Sequence, residues 1–402
     1  MISSLIEKLN KIELSNDKCV KIIYPNGEYY VGEVDNGKKH GHGVYYRTDG
    51  QIKYVGNYLN DFRNGHGKYI YDTGEIYLGE FLNNKFNGHG ILIETNGNRY
   101  EGEFKNYEFN GFGTYFIADG SKFSGKFVNN CFSGKGTVWF KNGSIYHGDF
   151  DGQTITGFGY LYQDGDIYKG EFVNGKRNGK GKINYANGDK YLGGFLNDEF
   201  HGKGYYYFND SGSYYYYGDF VNGEMTGYGY CYYNGDLYKG QVLNGKCCGN
   251  GVMTLKDGDV YQGEFYDDQY NGFGKYYSVE GYKYIGWFKN SMRHGFGYSL
   301  IPSKKSKDKI VKIYLGHYRN DKMHGRGILI QKNGNKYIGQ FFNGKMNGFG
   351  IYYFNCGDIY QGQFRNGHFH GYGTYHKQNG VFYNGRWIND RRIYKFYPYL
   401  SN

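Results

Sequence analysis

Along residues 168–195, "YKGEFVNGKRNGKGKINYANGDKYLGGF", large side chains and glycines alternate with polar residues at a spacing of two. Tyr168, Gly170 and Phe172 fall on one side of an extended segment, with Lys169 and Glu171 on the other, the pattern of a half-buried strand. After an Asn174-Gly175-Lys176 loop, Arg177, Gly179, Gly181 and Ile183 share one side of a second strand. Asn187-Gly188 then signals another turn, and Tyr191, Gly193 and Phe195 restart the pattern. Read as an antiparallel hairpin, the unit sets Tyr168 opposite Gly181 and Gly170 opposite Gly179. The glycines then leave room for a ring to lie flat across the neighbouring backbone, and also supply turn conformations with positive φ.

The same phrase recurs along the chain. Tyr/Phe-x-Gly anchors begin at Tyr30, Tyr54, Tyr77, Tyr100, Phe123, Tyr146, Tyr168, Tyr191, Tyr216, Tyr238, Tyr261, Tyr284, Tyr314, Tyr337, Tyr360 and Tyr383. Ten of the fifteen intervals are 23 residues, four are 22, 24 or 25, and one is 30. A Gly-x-Gly follows each of the first fifteen anchors, from Gly41/Gly43 to Gly371/Gly373. The slot of Arg177 is mostly apolar elsewhere, as at Phe86, Phe109, Phe132, Ile155 and Phe369, and so completes an apolar stripe. A lone hairpin cannot bury such a face, so the units are expected to stack side by side. Two strands per unit at ~4.8 Å give a rod on the order of 140 Å before twist and curvature.

These residues resemble the MORN-repeat family, whose unit reads roughly YxGxWxxGxxxGxGxxxxxxG. About fifteen such units fill residues 27–392 in register. A single G-x-G carries no weight, and here it does not open a helix after a strand, so a dinucleotide fingerprint is rejected. The expected fold is all-β: an elongated single-layer antiparallel ribbon of stacked β-hairpins with a short N-terminal capping helix. Ile2, Leu5, Ile6, Leu9 and Ile12 carry helical spacing, and a cap there protects an open strand edge. The segments expected are a cap over 1–23, repeats over 24–301, a basic inserted loop over 302–312 containing "PSKKSKDK", repeats over 313–392, and a closing cap over 393–402.

Composition agrees with strands and turns. The 402 residues include 69 Gly and 51 Tyr but 3 Pro, and two alanines, Ala118 and Ala186. So little Ala argues against much helix, and 21% aromatic residues argue against disorder. Six cysteines without C-x-x-C pairs suggest reduced thiols, Cys247 and Cys248 being small packing residues. Charges interrupt the apolar N-terminus, and no run approaches 18 apolar residues, so a soluble, cytoplasmic protein is expected.

Catalytic signatures are not found: no Walker A sequence, no H-E-x-x-H, no G-x-S-x-G. His40 and His42 could share a strand face, but no cluster of further ligands accompanies them. Glu33, Glu80, Glu103, Glu171 and Glu264 recur one residue after the anchor glycine, and read as solvated strand-face carboxylates rather than glycosidase pairs. The aromatic stripe (Tyr168, Phe172, Tyr191, Tyr261, Tyr284, Tyr337, Tyr360) reads either as the fold's own core or as a partner-binding groove. No enzyme activity, cofactor or metal is expected.

Charge separates the two ends. The chain is +10 overall; residues 284–402 hold 19 Lys/Arg against 4 Asp/Glu, leaving 29 against 34 in the rest. The later part is therefore +15 and the earlier part −5. A basic end favours an anionic partner, with Lys304, Lys305, Lys307, Lys309, Lys312, Arg386, Arg391 and Arg392 as candidate contacts. The family resemblance implies association with membranes, phosphoinositides or the cytoskeleton, and self-association into homo-oligomers. The expected function is a non-catalytic scaffold or adaptor for protein partners at membranes or the cytoskeleton. The alternative is a peripheral protein binding anionic lipids or phosphoinositides through the basic repeats. Nucleic acid is not an expected partner.

Overall fold

The computed structural model describes residues 19–209, 214–303 and 306–393, with the backbone alone at 306–309. The expected helical cap at Ile2, Leu5, Ile6, Leu9 and Ile12, residues 394–402 of the closing cap, and Lys304 and Lys305 lie outside the described residues. No helix occurs among the described residues; the regular elements are all strands. Two compact units divide the chain, residues 1–199 and 200–402. In the first, β1 (Cys19–Ile23) to β16 (Lys190–Leu196) form an open antiparallel meander in which each strand pairs with its neighbours in sequence. In the second, β17 (Glu199–Phe208) to β33 (Arg391–Ile393) do the same.

Two turn types alternate. β14 (Asp166–Val173) and β15 (Lys176–Asn184) are joined by Asn174 at φ 49° and Gly175 at φ 78°, with Val173 paired to Lys176. Positive φ at both central residues is the turn whose twist matches that of the flanking strands, hence Asn-Gly. On the other edge, Tyr185 N–H donates to the Asp189 carbonyl and Gly188 N–H to the Tyr185 carbonyl, both at 2.9 Å. The Asn187 side chain accepts from Asp189 N–H at 2.9 Å, an Asx-type closure.

The register departs from expectation. Tyr168 pairs with Ile183, Gly170 with Gly181, and Phe172 with Arg177; a bulge separates the last two pairs. Gly179, expected opposite Gly170, sits in that bulge at φ +67°. The alternation counted from the sequence assumed a regular strand there, whereas a left-handed residue takes backbone out of the ladder. The expected facing of Tyr168 and Gly181 is thus corrected by two residues, although the ring still lies over Gly181.

The core lies on one sheet face. In β22 (Val260–Tyr266) and β23 (Gln269–Tyr277), Tyr261 is paired with Tyr276, and Gly263 with Gly274. The Tyr261 ring covers both glycines: a Cβ on Gly274 would stand 2.5 Å from its hydroxyl oxygen and 2.6 Å from a ring carbon. Tyr270 stacks on the other side at 3.8 Å and 11°. Phe265 and Phe288 close the edges at 5.1 Å, near-perpendicular, the arrangement that ring quadrupoles favour. Tyr261 is fully buried. One sheet therefore builds a core without a second layer, each ring being sandwiched between glycine backbone and the side chain from the Arg177-type slot, which is itself a stacked ring at Phe86, Phe109, Phe132, Tyr270 and Phe369. Arg177 itself lies 5.7 Å from the Tyr168 ring centre and reaches Asp198 at 3.1 Å, so a cation serves where other units use Phe.

The inserted segment is not a loop. β25 (Met292–Ser303) and β26 (Ser306–Arg319) lengthen one hairpin, with Ile301 paired to Lys312, Pro302 to Ile310 and Ser303 to Ser306. The β-branched Ile310, Val311 and Ile313 favour extended pairing where the lysine content had suggested a loop.

Candidate functional site

The seven residues of the aromatic stripe are all buried, none more than 3% exposed. Tyr168, Phe172, Tyr191, Tyr261, Tyr284, Tyr337 and Tyr360 are packed into the core and present no open groove. Their hydroxyls are used too. In fourteen units the anchor tyrosine donates to the carbonyl of the residue three positions on, as Tyr261 does to Glu264 at 2.9 Å. Burial pushes the phenols of Tyr146, Tyr168 and Tyr360 up to about 12.

The recurrent acids have a structural task that the sequence reading missed. Glu33, Glu80, Glu103, Glu171 and Glu264 accept a hydrogen bond from the N–H of the middle residue of the Gly-x-Gly, at 3.0–3.2 Å. They satisfy a backbone donor that the bulge removes from the ladder. Gln340 and Gln363 fill the same role for Phe349 and Tyr372 at 2.8 and 2.9 Å. These two units thus keep the acceptor while shedding its charge, whereas Trp287, His317 and Arg386 stand in the slot in the other late units.

The basic candidates do not converge. Lys312 is exposed on β26, and the backbone of Lys307 and Lys309 runs in the same strand. Arg386 is exposed on β32 (Phe382–Ile388), with Arg391 exposed and Arg392 half-buried on β33. Six strand steps at ~4.8 Å separate the first group from the second. Arg392 donates to the Asn384 carbonyl at 2.8 Å and lies over Tyr383. No group of three His, Cys, Asp or Glu among the described residues is placed to hold a metal; His42 instead pairs with Asn57 at 2.9 Å.

The face opposite the core carries features that reading by anchors overlooked. In the second unit a recess of about 520 Å³ is lined by Phe296, Leu315, Ile328, Ile338, Phe349 and Ile351 among others. A neighbouring one of about 410 Å³ is lined by His294, His317, Arg319, His324 and Arg326 among others. Period-two alternation places these residues off the core face, and that count could have found them. A third recess, about 640 Å³, opens on the core face between Tyr276, Tyr282, Arg293 and Asp321, with Tyr284 and Phe288 in its lining. Its charged groups are already matched: Arg293 reaches Asp321 at 2.8 Å, and Tyr276 donates to Asp259.

A family model described as MORN repeat matches fourteen segments: 30–52, 54–76, 77–99, 100–122, 123–145, 168–190, 191–213, 216–237, 238–260, 261–281, 284–302, 314–336, 337–358 and 360–382. Residues 146–167 fall between two matches, yet Tyr146 is fully buried and donates to the Asp149 carbonyl at 3.1 Å like its counterparts. No curated protein matches the chain in sequence. Among solved structures, the TCP domain of Drosophila melanogaster SAS-4, in complex with a proline-rich motif of Ana2, is 15% identical. That alignment covers 41% of this chain and 88% of that one, with a TM-score of 0.25. A mutant TCP10 domain of Danio rerio CPAP is 12% identical over 67% and 95%, at 0.18. Virginiamycin B lyase from Staphylococcus aureus is 10% identical over 66% and 94%, at 0.12. Scores this low carry no argument about function.

Proposed function

The chain belongs to the MORN-repeat family, and from that premise we propose that it is a non-catalytic scaffold whose outer sheet face docks protein partners. MORN repeats are in general protein- and membrane-binding repeats. The observation that carries the reading is the division of labour between the two faces. Anchor rings, glycines and stacking residues complete the core on one side, so the outer side chains are released from it. Large apolar groups nevertheless stand in water there, including Phe112, Phe273, Trp287 and Tyr372, as at surfaces that meet a partner. A photo-crosslinking residue placed at Phe112, and separately at Tyr372, tests this in the native cell. Discrete protein adducts are expected; the absence of adducts at both positions would reject the scaffold.

One observation favours a second reading, in which the basic repeats rest on an anionic lipid surface at the membrane or cytoskeletal cortex. Residues 284–402 carry 19 Lys/Arg against 4 Asp/Glu, and the acceptor slot there turns neutral at Gln340 and Gln363 without losing its hydrogen bond. Each lysine near such a surface contributes about 1 kcal/mol. Replacing Lys304, Lys305, Lys307, Lys309 and Lys312 by Gln should reduce flotation with phosphatidylserine vesicles. Equal flotation of the substituted protein would end this reading.

A further inference from the structure

Six side chains form an unbroken apolar row across the outer face of the second unit. Ile285 of β24 (Lys283–Lys289) pairs with Tyr298, Tyr298 with Leu315, and Leu315 with Ile328 of β27 (Lys322–Gln331). Ile328 pairs in turn with Ile338 of β28 (Lys336–Phe342), and Ile338 with Ile351 of β29 (Lys345–Tyr353). Lys275 and Gln361 bound the row. The fold does not require apolar residues in this slot. Thr374 and Asn384 fill it further on; in the first unit Val31, Val44, Val55, Leu78 and Ile91 occupy it in some strands, but Glu101, Thr114, Ser124 and Thr137 fill it in four successive ones. An unbroken run of six such residues is not something that folding demands, and has another use.

Two residues along each strand, Phe296 and Phe349 rise beside the row, 50% and 56% exposed, and flank the 520 Å³ trough floored by Leu315, Ile328 and Ile338. His317 and Arg326 line both this trough and the cationic recess, which adds His294, Arg319 and His324. Neither lining contains an Asp or Glu. The site is thus apolar along its floor and cationic along one flank.

Those properties select the occupant. The strands here are paired on both sides, so an added strand finds no free backbone. The trough lies open along its length, whereas small-molecule sites bury about 70–90% of their ligand. A planar bilayer would meet Phe296 and Phe349 before the floor between them. From β25 to β29 the trough spans four strand spacings, ~19 Å, matching about 13 residues of helix. We propose that the outer face of β25–β29 seats an acidic amphipathic helix of a partner protein. Its apolar stripe lies on Leu315, Ile328 and Ile338, and its carboxylates lie against Arg326 and the histidine-lined recess. The inference rests on the scaffold reading and names the partner chemistry for this stretch of the face.

The probe is a synthetic peptide of about 14 residues, with Leu at helical spacing and Glu along one side of the stripe, titrated into the full chain by fluorescence anisotropy. Saturable binding is expected that weakens with salt and is lost in the isomer with Lys for Glu. Ile328→Glu and the exposed Arg326→Glu should each weaken it by roughly tenfold or more, while Leu192→Glu, on the outer face of the first unit, leaves it unchanged. Circular dichroism melts verify that the variants fold. Undiminished binding to both groove variants overturns the proposal. So does a peptide that fails to bind while phosphatidylserine vesicles bind through Arg326, which assigns the face to a membrane. A dimer seen by light scattering and abolished by Ile328→Glu assigns it to a second copy. Adducts at Phe112 or Tyr372 that persist after any of these results leave the scaffold reading standing.

Discussion

Gly274→Ala tests the central claim about the core, that the glycine exists to make room for a ring. Ala is intrinsically the better strand residue, by up to about 1 kcal/mol in conformational entropy. The new Cβ would, however, stand 2.5 Å from the Tyr261 hydroxyl oxygen and 2.6–2.7 Å from two ring carbons. The ring cannot retreat, because Tyr270 stacks on its other face at 3.8 Å and Phe265 and Phe288 hold its edges. Overpacking of this kind costs about 1–3 kcal/mol. If the ring is expelled, the cost approaches the 3–5 kcal/mol of deleting a buried aromatic, which is also the value expected for Tyr261→Ala. The hydrogen bond to the Glu264 carbonyl would be lost with it. The expected range for Gly274→Ala is therefore about 1–5 kcal/mol, the upper part if the ring is expelled.

A double-mutant cycle isolates the cause. With Tyr261 already cut to Ala, the methyl group at position 274 enters emptied space, and its cost should fall to about zero or below. The coupling energy is then about 1–5 kcal/mol, above the few tenths expected of independent sites. Gly272→Ala serves as the contrast: its penalty, at least about 1–2 kcal/mol, comes from a left-handed backbone at φ +63° and from crowding of the Glu264 carboxylate, not from the ring, so it should persist in the Tyr261→Ala background. Native-state hydrogen exchange is the suitable assay, because stacked repeats open locally and neighbour terms sum. Equal costs for Gly274→Ala with and without the ring would refute the reasoning.

Two other outcomes follow from the core. Burial raises the phenols of Tyr146, Tyr168 and Tyr360 to about 12, against about 10 in an unfolded chain. Their stabilisation is complete below pH 10 and lost as pH climbs through 12, each withdrawing ~1.4 kcal/mol per pH unit. Tyrosinate absorbance from these residues should appear together with loss of the strand circular dichroism signal; phenol titration with the fold intact would contradict the burial. At the bulge, Glu264→Gln should change stability by less than about 0.5 kcal/mol, since Gln340 and Gln363 already serve there. Glu264→Val should cost about 0.5–1.5 kcal/mol by removing the acceptor of the Phe273 N–H. Equal melts for the two variants would mean that the acceptor is not needed.

What the sequence made legible was whatever repeats. Anchor, Gly-x-Gly and turn recur often enough that strand content and the pairing of two strands per unit follow from them, and the same residues carry the family resemblance. The errors arose where one residue type serves two ends. Both glycines of the Gly-x-Gly were read alike, as ring space that also supplies positive φ, yet Gly272 is a left-handed bulge residue and of the two Gly274 alone lies under the ring. Nothing in their identity distinguishes them, so the register came out two residues wrong. The acids were misread similarly, because an exposed carboxylate and one that caps a bulge are the same letter. The outer-face site was hidden for the opposite reason. Leu315, Ile328, Ile338 and Ile351 occupy the slot least tied to the repeat, so averaging over units erases them. In a chain whose core is built by what all units share, specificity has to come from what few units share. Residues that deviate in neighbouring units and fall on one face are therefore where function should be sought. The contiguous row from Ile285 to Ile351, bounded by Lys275 and Gln361, meets that criterion, whereas the separated lysines and arginines do not.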